Sequence, residues 1–330
     1  MAKSKKKKKP AGKKHVKAAV VERKTVQAKK FPLKTVIIIF AVLAAVQMVY
    51  FTLKAVKQSK KPGLVTSWNY STGGVTSMAE YGGHLYVLNS QSGLVYKYAK
   101  MDGTLLSKFK VNDWIGGAAE TSAGETFILT RNNRILKYDS EGKPAGEAII
   151  PVEAGLSWLA LDSKDNIIAA NYNKGKIYKL SPSMEKIFEA GGKGVGREMF
   201  DNIGRIYAGP GDSVYCVNWI YTGSSAKKKK MEVKIFSAKG KFIRSWLVKG
   251  IKKYSPLEDI AVGSSGNVYI NCHFGSYVMV YNSKGRVLGS FDRDKNKMFY
   301  TAVPSAIAGG KEGLIFIATS KIGVFKEIKY

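Results

Sequence analysis

The sequence predicts an all-β fold, a six-bladed β-propeller, preceded by a single transmembrane helix and a disordered basic tail. Three observations carry that expectation. Short β-forming runs recur in pairs beyond residue 63, at spacings of about 40–55 residues, the mark of radial repeats with four strands each. Aromatic residues make up 11% of the chain and glycine supplies 34 of its 330 residues, which suits strands and turns better than a helical bundle. A run of 19 residues without a charge, 35–53, separates a lysine-rich N-terminus from the repeats.

The tail comes first. Residues 1–34 hold fourteen Lys or Arg against one acid, Glu22, and Lys5 to Lys9 are consecutive. Such a segment has no apolar surface to bury and is expected to be disordered. The uncharged run that follows would span about 28 Å as a helix at ~1.5 Å per residue, close to the hydrocarbon thickness of a bilayer. Gln47 is its only strongly polar residue, and Tyr50 and Phe51 lie near one end, where aromatic rings favour the interface. The run is longer than the apolar core of a signal peptide, and no small-x-small cleavage pattern follows it. It reads as an uncleaved anchor. The tail is far more basic than the opposite flank, which places the N-terminus in the cytoplasm and the repeats outside it. The tail's expected role is to set topology; contact with anionic headgroups is the second reading. The net charge of +30 would also suit a nucleic-acid partner, but this topology leaves only the tail to meet one, so such a partner is not expected.

Residues 54–63 form a linker, and 64–330 the repeats. The inner members of the strand pairs begin at His84, Thr126, Asn166, Val214, Val268 and Leu314; the outer members begin at Leu94, Arg134, Lys176, Val233, Tyr277 and Ile322. Turn glycines precede five of the inner members, at Gly83, Gly124, Gly211, Gly266 and Gly313. Five units look complete. The sixth ends after three strands, and residues 64–70 are expected to supply its outermost strand and close the ring. Cys216 and Cys272 are too few for a disulfide framework; two buried thiols are the simpler reading, and one long-range disulfide the other.

Two stretches then carry a resemblance. Thr130-Arg131-Asn132-Asn133-Arg134-Ile135-Leu136-Lys137-Tyr138-Asp139-Ser140-Glu141-Gly142 resembles the NHL repeat, and Gly192-Lys193-Gly194-Val195-Gly196-Arg197-Glu198-Met199-Phe200-Asp201 resembles its glycine-rich lead-in. The resemblance covers about residues 64–330 and implies a six-bladed propeller. It implies no single activity, since the fold hosts binding proteins and several enzymes. The Gly191-to-Gly196 stretch superficially looks like a phosphate loop, but no lysine–serine pair follows it.

In such a propeller the loops after the second strands and the connections between blades share one face, here the top; the linker enters at the bottom. Asn89, Thr130, Asn171, Asn218, Asn271 and Thr319 end the second strands and are expected to ring the top of the channel, as turn caps or as ligand contacts. Asn in place of an acid weakens any calcium reading. A lysine-bearing insertion in the fourth repeat, 219–230, adds Trp219, Tyr221, Lys227 and Lys228 as candidate ligand contacts. For catalysis the weak candidates are His273, with Glu258 or Asp259 to orient it; His15 lies in the tail and His84 in a strand or its turn. No metal-ligand spacing and no cofactor motif is present, so neither a metal nor a cofactor is expected. The expected function is a membrane-tethered extracytoplasmic binding or scaffold module for a protein or an anionic polymer. The alternative is a membrane-anchored, lactonase-like hydrolase or lyase with a metal in the channel.

Overall fold

The computed structural model describes residues 42–47, 63–70, 74–81, 83–221, 229–251, 259–272, 277–291, 304–310 and 312–328. Residues 1–55 and 56–330 are separate compact units. In the first, residues 42–47 are helical. The rest of the expected span, 35–53, lies outside the described residues, and no helix among the described residues is long and apolar enough to cross a membrane.

Among the described residues, the second unit has 24 strands in six antiparallel sheets of four. The first strands of successive sheets are Ser77–Tyr81, Gly117–Glu120, Leu156–Leu161, Asn202–Ala208, Ile260–Val262 and Ala306–Gly309. Each touches the next, and the last touches the first, so they line a closed central channel. Blade six joins both ends of the unit: Leu64–Trp68 pairs antiparallel with Ile322–Lys326 as its outermost strand. The fold is therefore an all-β six-bladed propeller, closed as the sequence predicts.

One element differs from expectation. The stretch read as an insertion, 219–230, largely continues the blade-four hairpin. Val214–Tyr221 and Lys229–Phe236 pair along their whole length, to Tyr221 opposite Lys229. Residues 222–228 lie outside the described residues.

The core is six separate slabs, one between each pair of neighbouring blades. Strand alternation explains this. On His84–Asn89, Leu85 and Val87 face blade six, while Tyr86 and Leu88 face blade two. A strand buried on both faces reads as an unbroken apolar run. At the rim, an aromatic ring on one blade's outer strand packs on the end of the next blade's third strand. The pairs are Trp68–Tyr98 at 5.0 Å, Phe109–Tyr138 at 4.2 Å, Trp246–Tyr281 at 5.0 Å and Phe291–Phe325 at 5.0 Å between centroids.

These rings need room in the facing turn. A Cβ at Gly103 would stand 2.3 Å from Trp68, one at Gly142 2.9 Å from Phe109 and one at Gly285 2.5 Å from Trp246, and all three glycines have φ between 72° and 84°. Between blades two and three the volumes are exchanged. Ala148 holds the register position of Phe109, and the facing turn carries Met184, at φ 69°, which packs into that same slab. The side chain that fills the gap comes from the turn instead of the strand, at a backbone cost of about 1–2 kcal/mol.

Cys216 and Cys272 form no disulfide; they are buried in different slabs, and burial pushes the Cys216 thiol above its ordinary range. This answers the question of pairing left open by the sequence.

Gly285→Ala should destabilise the propeller by about 2–3 kcal/mol, because it combines left-handed strain with a clash on the indole of Trp246. Chemical denaturation measures it; an unchanged midpoint would show that the rim locks carry no stability.

Candidate functional site

The predicted ring of second-strand ends is buried and turned on its own backbone. Asn89 Oδ1 accepts the N–H groups of Gln91 (3.1 Å) and Ser92 (3.0 Å). Asn171 Nδ2 donates to the carbonyls of Glu153 (2.9 Å) and Ala154 (3.0 Å), and its Oδ1 accepts from Lys174 N. Asn218 Oδ1 accepts from Asp201 N, and its Nδ2 donates to Glu232. The Thr130 and Thr319 hydroxyls donate to nearby carbonyls. Four of the five bond the backbone of nearby turns and connections, and Asn218 ties the blade-three-to-four connection to Glu232 on the next strand.

Asn271 is not a member of the ring. The third strand of each of the first five blades has a register shift just before its last aromatic or aliphatic residue, at Tyr98 in blade one and Tyr281 in blade five. Counted from there, Asn89 opposes Leu94 and its equivalent is Cys272, opposite Tyr277. Asn271 is one residue earlier, so its side chain faces the other way, into the slab between blades five and six. It is fully buried there, and neither amide atom has a hydrogen-bond partner among the described residues. Trp219 also leaves the candidate surface: it opposes Met231, is 6% exposed and packs in the slab between blades four and five. Tyr221 is exposed at the hairpin's end, its N–H donating to Asp201. Lys227, Lys228, Glu258 and His273 lie outside the described residues.

The polar feature that organises the channel is Arg205, on the inner strand of blade four. Its guanidinium crosses to the opposite blade, where Nη1 donates to Ser77 Oγ (2.7 Å) and Nη2 to the Thr76 carbonyl (2.9 Å). Nε is 3.2 Å from Asp259 Oδ1 of blade five, and Cζ lies 4.4 Å from the ring centroid of Trp158 on blade three. One side chain thus ties together four blades near the top of the channel. Asp259 also accepts the N–H groups of Ile260 and Ile307. Burial raises its carboxyl above the usual range; Arg205 and these two N–H groups pull against that rise without cancelling it. The carboxylate considered as an orienter for His273 is thus committed to Arg205.

Below this hub, Tyr207 of blade four donates its hydroxyl to the Gly309 carbonyl of blade six, and Tyr81 of blade one accepts from Leu161 N of blade three at 3.4 Å. Burial pushes the Tyr81 phenol up to about 12 and raises Tyr207 as well. The two rings floor a cavity of about 290 Å³ that opens at the bottom of the channel. Its carboxylates are already engaged. Glu80 pairs with Lys100 at 3.2 Å, Asp162 with the buried Lys179 at 2.6 Å, and Asp212 accepts from Ser163 N and Oγ. No group of three or more metal-ligating residues stands together among the described residues.

Arg205, Ser77, Trp158, Tyr81 and Tyr207 were not anticipated. A signal was available for one: Arg205 is a lone charge within the otherwise uncharged segment Asn202–Ala208.

No family model matches the chain, and no curated protein matches its sequence. Solved structures share its fold. A streptogramin B lyase is 13% identical with a TM-score of 0.53, covering 81% of this chain and 98% of that one. Hydrazine synthase of Kuenenia stuttgartiensis is 11% identical with a TM-score of 0.56, covering 80% and 99%. The Cps50 (Swd1) β-propeller domain of Myceliophteria thermophila is 10% identical with a TM-score of 0.53, covering 80% and 99%. At such identities the likeness is one of fold. These neighbours are of such different kinds that the fold selects no activity.

Two substitutions test the channel. Arg205→Met should cost about 3–5 kcal/mol at neutral pH, because it leaves Asp259 buried and unpaired. That penalty exists only while the carboxyl is ionised, so it should shrink as pH falls through the raised folded pKa; a loss constant between roughly pH 4 and 8 would assign the effect to packing on Trp158. Asp162 has the opposite sign. Burial alone would raise its carboxyl, but Lys179, Asn166 and the Lys164 and Asn166 N–H groups outweigh burial and hold it below the usual value. Asp162→Asn should therefore cost about 3 kcal/mol above pH ~4 and progressively less as the wild-type carboxyl protonates below it. Denaturant midpoints read across pH for both proteins would show whether the curves converge in acid.

Proposed function

We propose that this chain is an NHL-like propeller held at a membrane by residues 35–53, presenting its top face outside the cytoplasm as a binding or scaffold module. The observation that carries the reading is the state of the channel. Its polar side chains among the described residues are spent on one another: Arg205 on Asp259, Ser77 and the Thr76 carbonyl, Glu80 on Lys100, and Asp162 on Lys179. The Arg205 contacts act as spokes between blades, the two carboxylate–lysine pairs brace blades one and three internally, and recognition is left to the loops that surround the channel. The 19-residue uncharged run and the fourteen basic residues before it support the tether and its orientation. The strand Leu64–Trp68 starts at the bottom face, which suits a chain entering from that side.

The full chain should stay with membranes through an alkaline carbonate wash, and protease added outside the cell should reach the propeller but not the tail. Release by carbonate would remove the tether. In parallel, the purified chain should turn over no lactone or ester with calcium or zinc added. Turnover abolished by Asp259→Asn in a protein that still melts cooperatively would replace the scaffold reading with the hydrolase one.

A further inference from the structure

The connection from blade three to blade four, 191–200, is a built projection. The N–H of Gly192 donates to the Gly175 carbonyl, that of Gly194 to the Phe200 carbonyl, and that of Phe200 to the Gly192 carbonyl, each at 2.8–2.9 Å. These amides are therefore used internally and cradle no phosphate. Phe200 is fully buried beneath the loop. From below, the buried Lys234 reaches up to the Arg197 carbonyl at 2.8 Å and the Gly196 carbonyl at 3.5 Å, while ion-paired to Glu232 at 3.1 Å. A buried lysine committed to the carbonyls of a surface loop fixes that loop's shape.

What the loop displays is apolar. Val195 at its tip is 96% exposed and Met199 38% exposed. Two more exposed rings adjoin it: Tyr172, 45% exposed, lies 5.7 Å from Lys193 Nζ, and Tyr221, 40% exposed, bonds to Asp201. Lys193 in turn reaches Asn202, which donates to the Trp219 carbonyl, so the four side chains sit on one continuous rim. Cations outnumber acids around them: Lys193, Arg197 and the exposed Lys230, which closes the run of four lysines at 227–230, stand with Lys174, paired to Glu153 at 3.7 Å, against the exposed Glu198 of the loop.

We infer that this rim of blades three and four docks an acidic segment of a partner protein that carries apolar side chains between its carboxylates. The inference rests on the binding-module reading and names the surface and the class of partner. Charge complementarity selects an acidic partner. The rigid loop and the exposed valine, methionine and tyrosines select a peptide over a polyphosphate or polysaccharide, because a purely anionic polymer would leave them uncovered. The preformed loop adds no ordering cost on binding.

The test uses the full chain in detergent and three immobilised probes: a short peptide with leucine and tyrosine between glutamates, poly-glutamate and polyphosphate. The mixed peptide should bind best, with an affinity that weakens as salt rises. Val195→Asp and Lys193→Glu should each reduce that affinity at least ~10-fold without shifting the melting temperature, as removal of central contacts does. Equal binding of poly-glutamate, with no effect of Val195→Asp, would overturn the inference in favour of a counter-ion surface. No binding of any probe would also overturn it. Photo-crosslinkers placed at Ser90 and at Tyr172 separate the two levels: capture in cells only at Ser90 would keep the module and discard this rim, and capture at neither would discard both.

Discussion

The pairing of Leu64–Trp68 with Ile322–Lys326 is the contact on which the other interfaces depend. A propeller has no shared centre; each slab of core is held in place because the next blade presses on it. An open ring would leave two half-slabs facing water. It would also leave Trp68 without Tyr98 and Gly103, the first of the rim locks. Joining the ends of the unit in one sheet makes every interface interior.

Within the closed ring, Arg205 supplies what apolar slabs cannot: a contact between blades that are not neighbours. Small residues on the inner strands leave room along the axis, and a guanidinium with several donors fills it while its charge is met by Asp259. The cost is a carboxylate kept ionised in a buried place. Such a pair is weak evidence for stability but strong evidence for one fixed arrangement of blades, since a shift of any blade breaks it. The tyrosines beneath it add two more contacts across the axis, Tyr207 to blade six and Tyr81 to blade three.

The second and third strands were legible because they are buried on both faces and so read as unbroken runs of β-branched and aromatic residues. The inner strands were not. Gly117–Glu120 and Ala306–Gly309 are mostly alanine and glycine, as crowding at the axis requires, and carry no β signal. Arg205 lies in an inner strand of another kind, Asn202–Ala208, where Ile203, Ile206 and Tyr207 carry a β signal but nothing in the sequence shows which residues the guanidinium will meet across the axis. Asn271 was misplaced by one residue because sequence spacing does not reveal the register of a hairpin, and one residue is enough to reverse a side chain. Trp219 was taken for surface because the blade-four hairpin was assumed to stop at the usual length. The charge pattern of residues 1–53 is plain in the sequence, but apart from the helical residues 42–47 their structure lies outside the described residues.

The strand that closes the ring is also the first part of the propeller to leave the ribosome. Its partner begins at residue 322, so roughly 250 residues must be made before Leu64–Trp68 can pair. At ~5–20 residues per second that wait is on the order of 10–50 s, during which five blades can form but none of the ring is locked. The unit therefore folds as an arc and becomes a propeller only once Ile322–Lys326 has been made. A chain stalled even a few residues before Ile322 would carry every blade but the last, with both ends of its core open.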